Sequence, residues 1–552
     1  MVDASAQLIS DVELTVFWML VAVAVVALVT KRIRVPYTIA LVIAGLILAL
    51  FPGTPNIQLT PDLIVAVFLP TLIFEAAYNL HFGHLRENLR PVTILAIPGV
   101  LLTATIVAAL MHFAGGLPWE VAFLFGAIVS ATDPVSVVAL FREMGTPGRL
   151  RTILEGESLF NDGTAIVVFN LILGIVLAGR FDPAASLFEF ALVVAGGLVL
   201  GLVVGYACSF LLRQVDDYLL ETILTIILAY GTYFLAQQLH VSGIIAVVAA
   251  GLLVGNYGRQ IAFSPSSRIA VGLSWELFAF IANSLIFLFV GLQIRGTNLT
   301  AEVGAITLAV IAVVLARTVV VTLAAGYLRL RRADAPVPWS WQVVLIWGGL
   351  RGALSLALAL SIPAQLDGGR GPFPQRALIL VLTFSVILFT LLVPGLTMRP
   401  LLERLRLAGR GEDLVEYEAT QARLRAARAA LQTLETHTRS GQINPDLAEE
   451  LRVEYQHQTE ALGEFLAHLD IRHGALRRRA LVAERRALLL VEKSTLRDLQ
   501  ARGEIDDATL QELTGDVDRR LAELSAEPPS ATEPDEARME PPGDAALRPP
   551  AK

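Results

Sequence analysis

The sequence predicts an all-α, polytopic membrane protein. It comprises about 13 transmembrane helices with inverted repeats and two broken crossing helices, then a C-terminal helical cytoplasmic domain. Three observations carry this prediction. The 552 residues are 55% hydrophobic and only 17% charged, with a mean hydropathy of +0.63, whereas soluble domains carry about 25% charged residues. The charge is uneven: residues 1–400 hold almost none outside short gaps, while 411–527 are dense in Arg and Glu, a shift that sets a transmembrane domain at 1–410 apart from a helical domain at 411–525. Finally, Lys and Arg concentrate in alternate gaps between the apolar runs.

A hydrocarbon core about 30 Å thick is crossed by about 20 apolar helical residues. Thirteen runs fit: 13–30, 36–52, 62–80, 91–113, 118–142, 155–179, 184–212, 217–238, 241–257, 273–293, 301–328, 338–362 and 375–398. One set of alternate gaps holds Lys31, Arg32, Arg34; Arg86, Arg90; Arg142, Arg149, Arg151; Arg213; Arg259, Arg268; and Arg329, Arg331, Arg332. The other set holds only Arg180, Arg295, Arg370 and Arg376. Basic loops stay in the cytoplasm, so the N-terminus is expected outside and the C-terminal domain inside, in the cell inner or plasma membrane. The opening stretch MVDASAQLISDVEL has no basic n-region and no cleavage pattern, so the first run is expected to be a retained helix. The single Cys208 excludes a disulfide framework and a Cys-based metal site. The net charge of -7 sums two unlike regions and says little about partners. Membrane lipid is the expected partner, and no nucleic acid is expected. There is no GxxxxGK[ST] nucleotide motif, and no cofactor is expected.

Two runs are interrupted. The fifth contains Thr132-Asp133-Pro134, where Pro134 removes a backbone donor and disfavours helix at Asp133. The twelfth contains WGGLRGAL, with Gly348, Gly349 and Gly352 around Arg351. They lie seven spans apart, an odd offset that gives them opposite directions. Paired interruptions in corresponding positions mark inverted-repeat transporters with a site at the membrane midplane. Ordinary kinks are also tolerated in membrane helices, so the pairing, not the kink, carries the expectation.

An ionisable group at mid-bilayer costs at least ~2.5 to 3.5 kcal/mol and is a functional candidate by default. The candidates are Glu75, Asp133, Glu157, Asp162, Arg317 and Arg351; Glu189, Glu221 and Glu276 lie nearer span ends and are assigned structural or interfacial roles. In GESLFNDGTAIVVFN, Glu157 and Asn161 are four apart, as are Ser158 and Asp162, so each pair shares a helix side. With Thr132 and Asp133 from the broken helix, these hard oxygen groups suit a small alkali cation and not a soft metal. Polar glue between helices would use Ser, Thr and Asn, not several carboxylates. Arg317 and Arg351 are the available counter-charges. One of them neutralises Glu157 as a structural ion pair, with Arg317 preferred and Arg351 assigned to capping free carbonyls. Asp162 is then left without a partner. Burial favours the neutral form of a carboxylic acid, so such a group holds a proton or a cation, but not both well. That choice couples cation movement to proton movement without ATP, and the chain is expected to be a transporter and not an enzyme.

At these residues the chain resembles bacterial and archaeal sodium/proton antiporters of the monovalent cation:proton antiporter superfamily, in the electroneutral class that includes the animal sodium/proton exchangers. The matching segments are FLPTLIFEAAYNL, SATDPVSVVAL, GESLFNDGTAIVVF, IAVVLARTVVV and WGGLRGALSLALAL, in family order. The resemblance implies a thirteen-helix homodimer, each protomer with a dimerisation domain and a moving core. It also implies that Asp162 is the shared cation and proton site and that Asn161-Asp162 is the pair associated with one-for-one exchange. Thr132, Ser158 and Glu75 would ligate sodium or lithium with Asp162. Asp133 would hold the unwound crossing, and Glu157 would pair with an Arg of the eleventh or twelfth span. Potassium/proton exchange at the same residues stays open. A passive cation channel is the rival of another class, although no filter-like loop is visible. An intramembrane aspartyl protease would need a GxGD-type second acid, and FNDG is not one.

Beyond residue 410, Tyr417, Leu424 and Leu431 with Ala427 and Leu434 fit a heptad. Asn444-Pro445 reads as a helix start, and Gly503 followed by Asp506 as a stop and restart. Arg477, Arg478 and Arg479 suit anionic lipid or a solvated face. His437, His457, His468 and His473 show no metal-ligand spacing. Residues 526–552, with seven prolines and several acids, are expected to be disordered.

Overall fold

The computed structural model describes residues 17–30, 32, 36–50, 64–178, 182–292, 302–331, 337–365, 372–407, 412–440, 443–472 and most of 485–526. Lys31, Arg34, Arg180, Arg295, Arg332, Arg370, the Arg477–Arg479 cluster, His473 and the Pro-rich tail lie outside the described residues. Close contacts divide the chain into Met1–Glu412 and Asp413–Lys552.

Helices occupy all thirteen predicted runs. They are α1 Phe17–Thr30, α2 Tyr37–Leu50, α3 Ile64–Asn79, α4 Leu89–Phe113, α5 in two halves (α5a Trp119–Ser130, α5b Val135–Glu143) and α6 Gly148–Ala178. There follow α7 Pro183–Leu212, α8 Tyr218–Gln238, α9 Gly243–Ile261, α10 Pro265–Leu292 and α11 Val303–Leu330. Last come α12 in two halves (α12a Trp339–Trp347, α12b Ala353–Leu360) and α13 Arg376–Arg404. Among the described residues, nine helices are long and apolar enough to cross a membrane.

Helix starts follow local chemistry. Asp182 accepts hydrogen bonds from the Ala184 and Ala185 amides ahead of Pro183, and Asp217 accepts from those of Leu219 and Leu220. Both are N-caps that satisfy amides a helix leaves open. The same logic corrects two predicted boundaries. Helix α10 starts at Pro265, not 273, because Ser264 caps the amide of Ser267 at 3.2 Å. Helix α6 starts at Gly148, not 155, and its Arg149 Nε donates to Asn88 Oδ1 at 2.8 Å. Polar first turns lengthen both helices beyond their apolar stretch. Glu276 therefore lies well inside α10 and not near its end.

The membrane unit has two helix groups. One packs α2 on α10, α9 on α3, and α7 and α8 on α9. The other packs α4 on α5a, α6 and α11, and α13 on α11 and α12b. In the first group Gly45 and Gly291 bring α2 and α10 into backbone contact; a Cβ on Gly45 would lie 2.8 Å from Gly291 Cα. The second group holds the two broken helices, and their breaks meet: the Asp133 amide donates to the Leu350 carbonyl at 2.8 Å.

The second unit contains α14 Glu412–Arg439, α15 Pro445–Arg472 and α16 Asp507–Ala526. On α14, Thr420, Leu424 and Ala427 form a buried stripe; the side chain of Tyr417, at the head of the heptad, lies outside the described residues. Asn444 Oδ1 accepts from the Asp446 amide at 3.1 Å, and Asp506 Oδ1 from the Thr509 amide at 2.8 Å. The Thr509 hydrogen bonds hold the Asp506 carboxyl below its ordinary range.

Candidate functional site

The crossing leaves four half-helix ends inside the protein, and the two C-terminal ones, of α5a and α12a, carry open carbonyls that need donors. Arg351 supplies α5a: its Nε donates to the Val129 carbonyl at 2.9 Å, and Ser355 Oγ donates to the Ile128 carbonyl at 2.8 Å. Arg317 supplies α12a: Nε and Nη2 donate to the Leu345 carbonyl at 3.1 and 2.9 Å. Each arginine thus places a cation at a helix C-terminus, where the backbone dipole favours it. Arg351 Nη1 also donates to the Gly349 carbonyl.

Arg317 also makes the buried ion pair. Its Nη1 and Nη2 meet Glu157 Oε1 and Oε2 at 2.5 and 2.8 Å, with Arg317 5% and Glu157 1% exposed. Arg351 forms no ion pair among the described residues, so it stands apart from the Glu157 pair. A planar fork matched to two carboxylate oxygens is geometry that Arg provides and Lys does not.

Asp133 sits in the crossing. Its Oδ1 accepts from the Val135 amide at 3.0 Å, capping α5b. Its Oδ2 packs on Gly352, where any Cβ would collide with it. Thr132 is held from α6: Asn161 Nδ2 donates to Thr132 Oγ1 at 2.6 Å, and Asn161 Oδ1 accepts from the Thr132 amide at 3.2 Å. Ser158 Oγ donates to the Thr132 carbonyl.

A cavity of about 890 Å³ lies between the two helix groups. Thr132, Asp133, Ser158 and Asp162 line it from one side, and Glu75, Asn79 and Glu276 from the other. Its mouth is marked by Arg142, Glu143 and Arg399, on the face of the basic gaps. Asp162 makes no hydrogen bond or ion pair among the described residues, unlike Asp133 and Glu157. Glu75 Oε1 accepts from Asn79 Nδ2 at 2.8 Å.

The structure therefore gathers Asp162, Ser158, Thr132 and Asp133 into one cavity wall, with Glu75 facing them from the other side. It places Asn161, 1% exposed, behind that wall, where it holds Thr132 and does not face the cavity. Adjacent positions on a helix of 3.6 residues per turn point about 100° apart, so Asn161 and Asp162 serve different faces. Two cavity residues escaped the sequence reading. Glu155 was detectable from spacing: Glu155, Ser158, Leu159 and Asp162 follow i, i+3, i+4, i+7 along one stripe. It lies 3.7 Å from Arg142 and 4.0 Å from Arg151. Glu276 looks interfacial in the sequence because the polar first turn of α10, from Pro265, hides how far inside the helix it lies.

Residues 19–404 match the family described as "Sodium/hydrogen exchanger, transmembrane". The low-affinity Na(+)/H(+) antiporter NhaS1 of Synechocystis sp. is 38% identical over 86% of this chain and 89% of its own. The Na(+)/H(+) antiporter ApNhaP of Aphanothece halophytica is 41% identical over 75% and 77%. Among solved structures, the sodium proton antiporter MjNhaP1 of Methanocaldococcus jannaschii superposes with a TM-score of 0.59 at 22% identity, covering 71% of this chain and 99% of its own. That last likeness concerns the fold alone.

Proposed function

The chain belongs to the sodium/hydrogen exchanger family, and on that premise we propose that it exchanges sodium, or lithium, for protons one-for-one at Asp162, by alternating access. Transport, not catalysis, is the activity. One observation carries the assignment of the residue. Asp162 is the carboxylate at the crossing with no hydrogen-bond or ion-pair partner among the described residues, while Asp133 caps α5b and Glu157 pairs with Arg317; Glu276, which also lacks one, stands across the cavity on α10, away from the crossing. A carboxylate without a partner inside a membrane is neutralised by whatever reaches it, proton or cation. Ser158 and Thr132 flank it with hard oxygen, which suits an alkali cation. Asn161 beside it is a neutral amide and adds no second charge at that position, which supports electroneutral exchange. Sodium is preferred over potassium because the relatives above carry that ion in their names.

The cavity opens on the face whose gaps hold most Lys and Arg. We place that face in the cytoplasm, with the N-terminus outside and the unit beyond residue 412 inside. Assembly as a homodimer follows from the family resemblance.

The test uses purified protein in liposomes with an internal pH dye and an imposed proton gradient. Sodium, lithium and potassium are added in turn, with and without a voltage clamp. Wild type is expected to dissipate the gradient with sodium regardless of voltage, and Asp162→Asn is expected to be silent. Coupled exchange surviving in Asp162→Asn overturns the assignment. Cation flux that moves no protons would replace exchange with a channel.

A further inference from the structure

A second cavity, of about 290 Å³, lies further along α6. Its wall includes Ile166 and Asn170 of α6, Glu189 of α7, Gln237 of α8, and His240 and Ile244 at the turn into α9. The α6 stripe that carries Glu155 and Asp162 continues in steps of four through Ile166 to Asn170. At 1.5 Å per residue, Asn170 stands about 12 Å beyond Asp162.

Three features give this cavity a role. First, Asn170 is exposed and its amide has no hydrogen-bond partner among the described residues. An amide in hydrocarbon without a partner is costly, so at this depth it belongs in a wet space. Second, oxygen-bearing groups dominate the polar wall: Asn170, Glu189, and Gln237, whose Nε2 donates to Tyr233 Oη at 2.8 Å. Third, the stretch of α6 between Asp162 and the cavity packs on α9 through apolar groups. Gly163 packs so closely on α9 that a Cβ there would lie 2.8 Å from Ile245 Cγ1 and 3.6 Å from Ile244 Cγ2. Ile166 is one turn from Asp162 and already lines the second cavity.

The two cavities belong to opposite faces. The first has Arg142 and Arg399 at its mouth. The second is bordered by the start of α7 and by the α8–α9 turn, both next to gaps of the poorly basic set. His240, in the left-handed region at φ 58, makes the sharp turn there.

We infer that the second cavity is the antechamber of the transport route on the face opposite the first: a polar pocket for a hydrated monovalent cation, walled from Asp162 by the contact of Gly163 and Ile166 with Ile244 and Ile245. The inference rests on Asp162 being the exchange site. Parting α6 from α9 at that contact would join Asp162 to Asn170. With the contact closed, Asp162 communicates with the first cavity alone.

The experiment is thiol accessibility in a Cys208→Ser background, which removes the single native cysteine. Ala139→Cys marks the first cavity, Asn170→Cys the second, and Leu239→Cys the surface beside the second. A membrane-impermeant cationic methanethiosulfonate is added to one side of sealed vesicles, then to the other. Asn170→Cys should react from the Leu239→Cys side, opposite to Ala139→Cys, and the reaction should block exchange. Reaction from the Ala139→Cys side, or no reaction in a variant that exchanges normally, overturns the inference. Should Asn170→Cys not fold, Ile244→Ser decides. A polar residue in the seal should let sodium pass without proton counterflow, and unchanged coupling refutes the seal. Exchange persisting in Asp162→Asn defeats the underlying reading instead. A silent Asp162→Asn with an inaccessible Asn170→Cys defeats only this inference.

Discussion

Replacing Arg317 by Met tests the scaffold around the crossing. Arg317 is 5% exposed and Glu157 1%, so the substitution leaves a buried carboxylate facing nothing. Removing one partner of a buried pair costs about 3–5 kcal/mol, mostly from the charge left behind. The structure divides that cost. Glu157 loses two hydrogen bonds, and the Leu345 carbonyl loses two others, from Nε and Nη2. Leu345 lies in the last turn of α12a, where no helical amide can replace them. Adding Glu157→Gln to Arg317→Met removes the stranded charge but not the stranded carbonyl, whose deficit is about 1–3 kcal/mol. The double variant should therefore recover roughly half the loss. Arg317→Lys should fall between, since it keeps the charge and loses the fork. Thermal unfolding of the four purified proteins in detergent, followed by size-exclusion fluorescence, reads the order. Arg317→Met unfolding at the wild-type temperature, or a double variant no more stable than Arg317→Met, would refute the reasoning.

Gly352→Ala should destabilise the crossing by about 1–3 kcal/mol through overpacking, because its methyl group would meet the Asp133 carboxylate. Slowed exchange in vesicles carrying normal protein levels is the expected readout, and full activity would contradict that packing. Asn161→Asp removes the amide that donates to Thr132 Oγ1 and adds a carboxylate beside Asp162. Exchange should become sensitive to membrane voltage or lose rate; wild-type rate and voltage behaviour would show Asn161 to be dispensable. Deleting residues 412–552 should leave basal exchange, because the cavity and both ion-pair partners lie within the first unit. A folded, membrane-inserted truncation without exchange would contradict that division of labour.

The apolar runs, both breaks and the cavity acids Asp133 and Asp162 were legible because the membrane exaggerates their signals. A Pro or a Gly cluster interrupts an otherwise unbroken apolar run, and a charge inside one has few explanations. Helix ends were less legible. Where α6 and α10 begin, the first turns are polar (GRLR, PSSR) and look like gaps, yet caps and contacts such as Arg149–Asn88 keep them helical. The depth of Glu276 within α10 is hidden for that reason. The face each residue serves was only half legible. Spacing paired Glu157 with Asn161 and Ser158 with Asp162, but nothing in one sequence says which pair meets the cavity. Packing decides it: Glu157 and Asn161 turn into the bundle, toward Arg317 and Thr132.

That division within α6 bears on how exchange stays coupled. One face of the helix is fixed by groups that are fully engaged: Glu157 by Arg317, and Asn161 by both the amide and the hydroxyl of Thr132. The adjacent face carries Asp162 into water-accessible space with no partner among the described residues. A carboxylate that swapped partners as the protein moved would carry charge across without a cation. The Arg317 fork and the capped half-helices oppose that, because releasing either arginine would strand a buried carbonyl as well as a charge. The buried arginines thus do more than neutralise acids. By being committed elsewhere, they leave Asp162 to be neutralised only by an ion from solution, and that is the condition an exchanger has to meet.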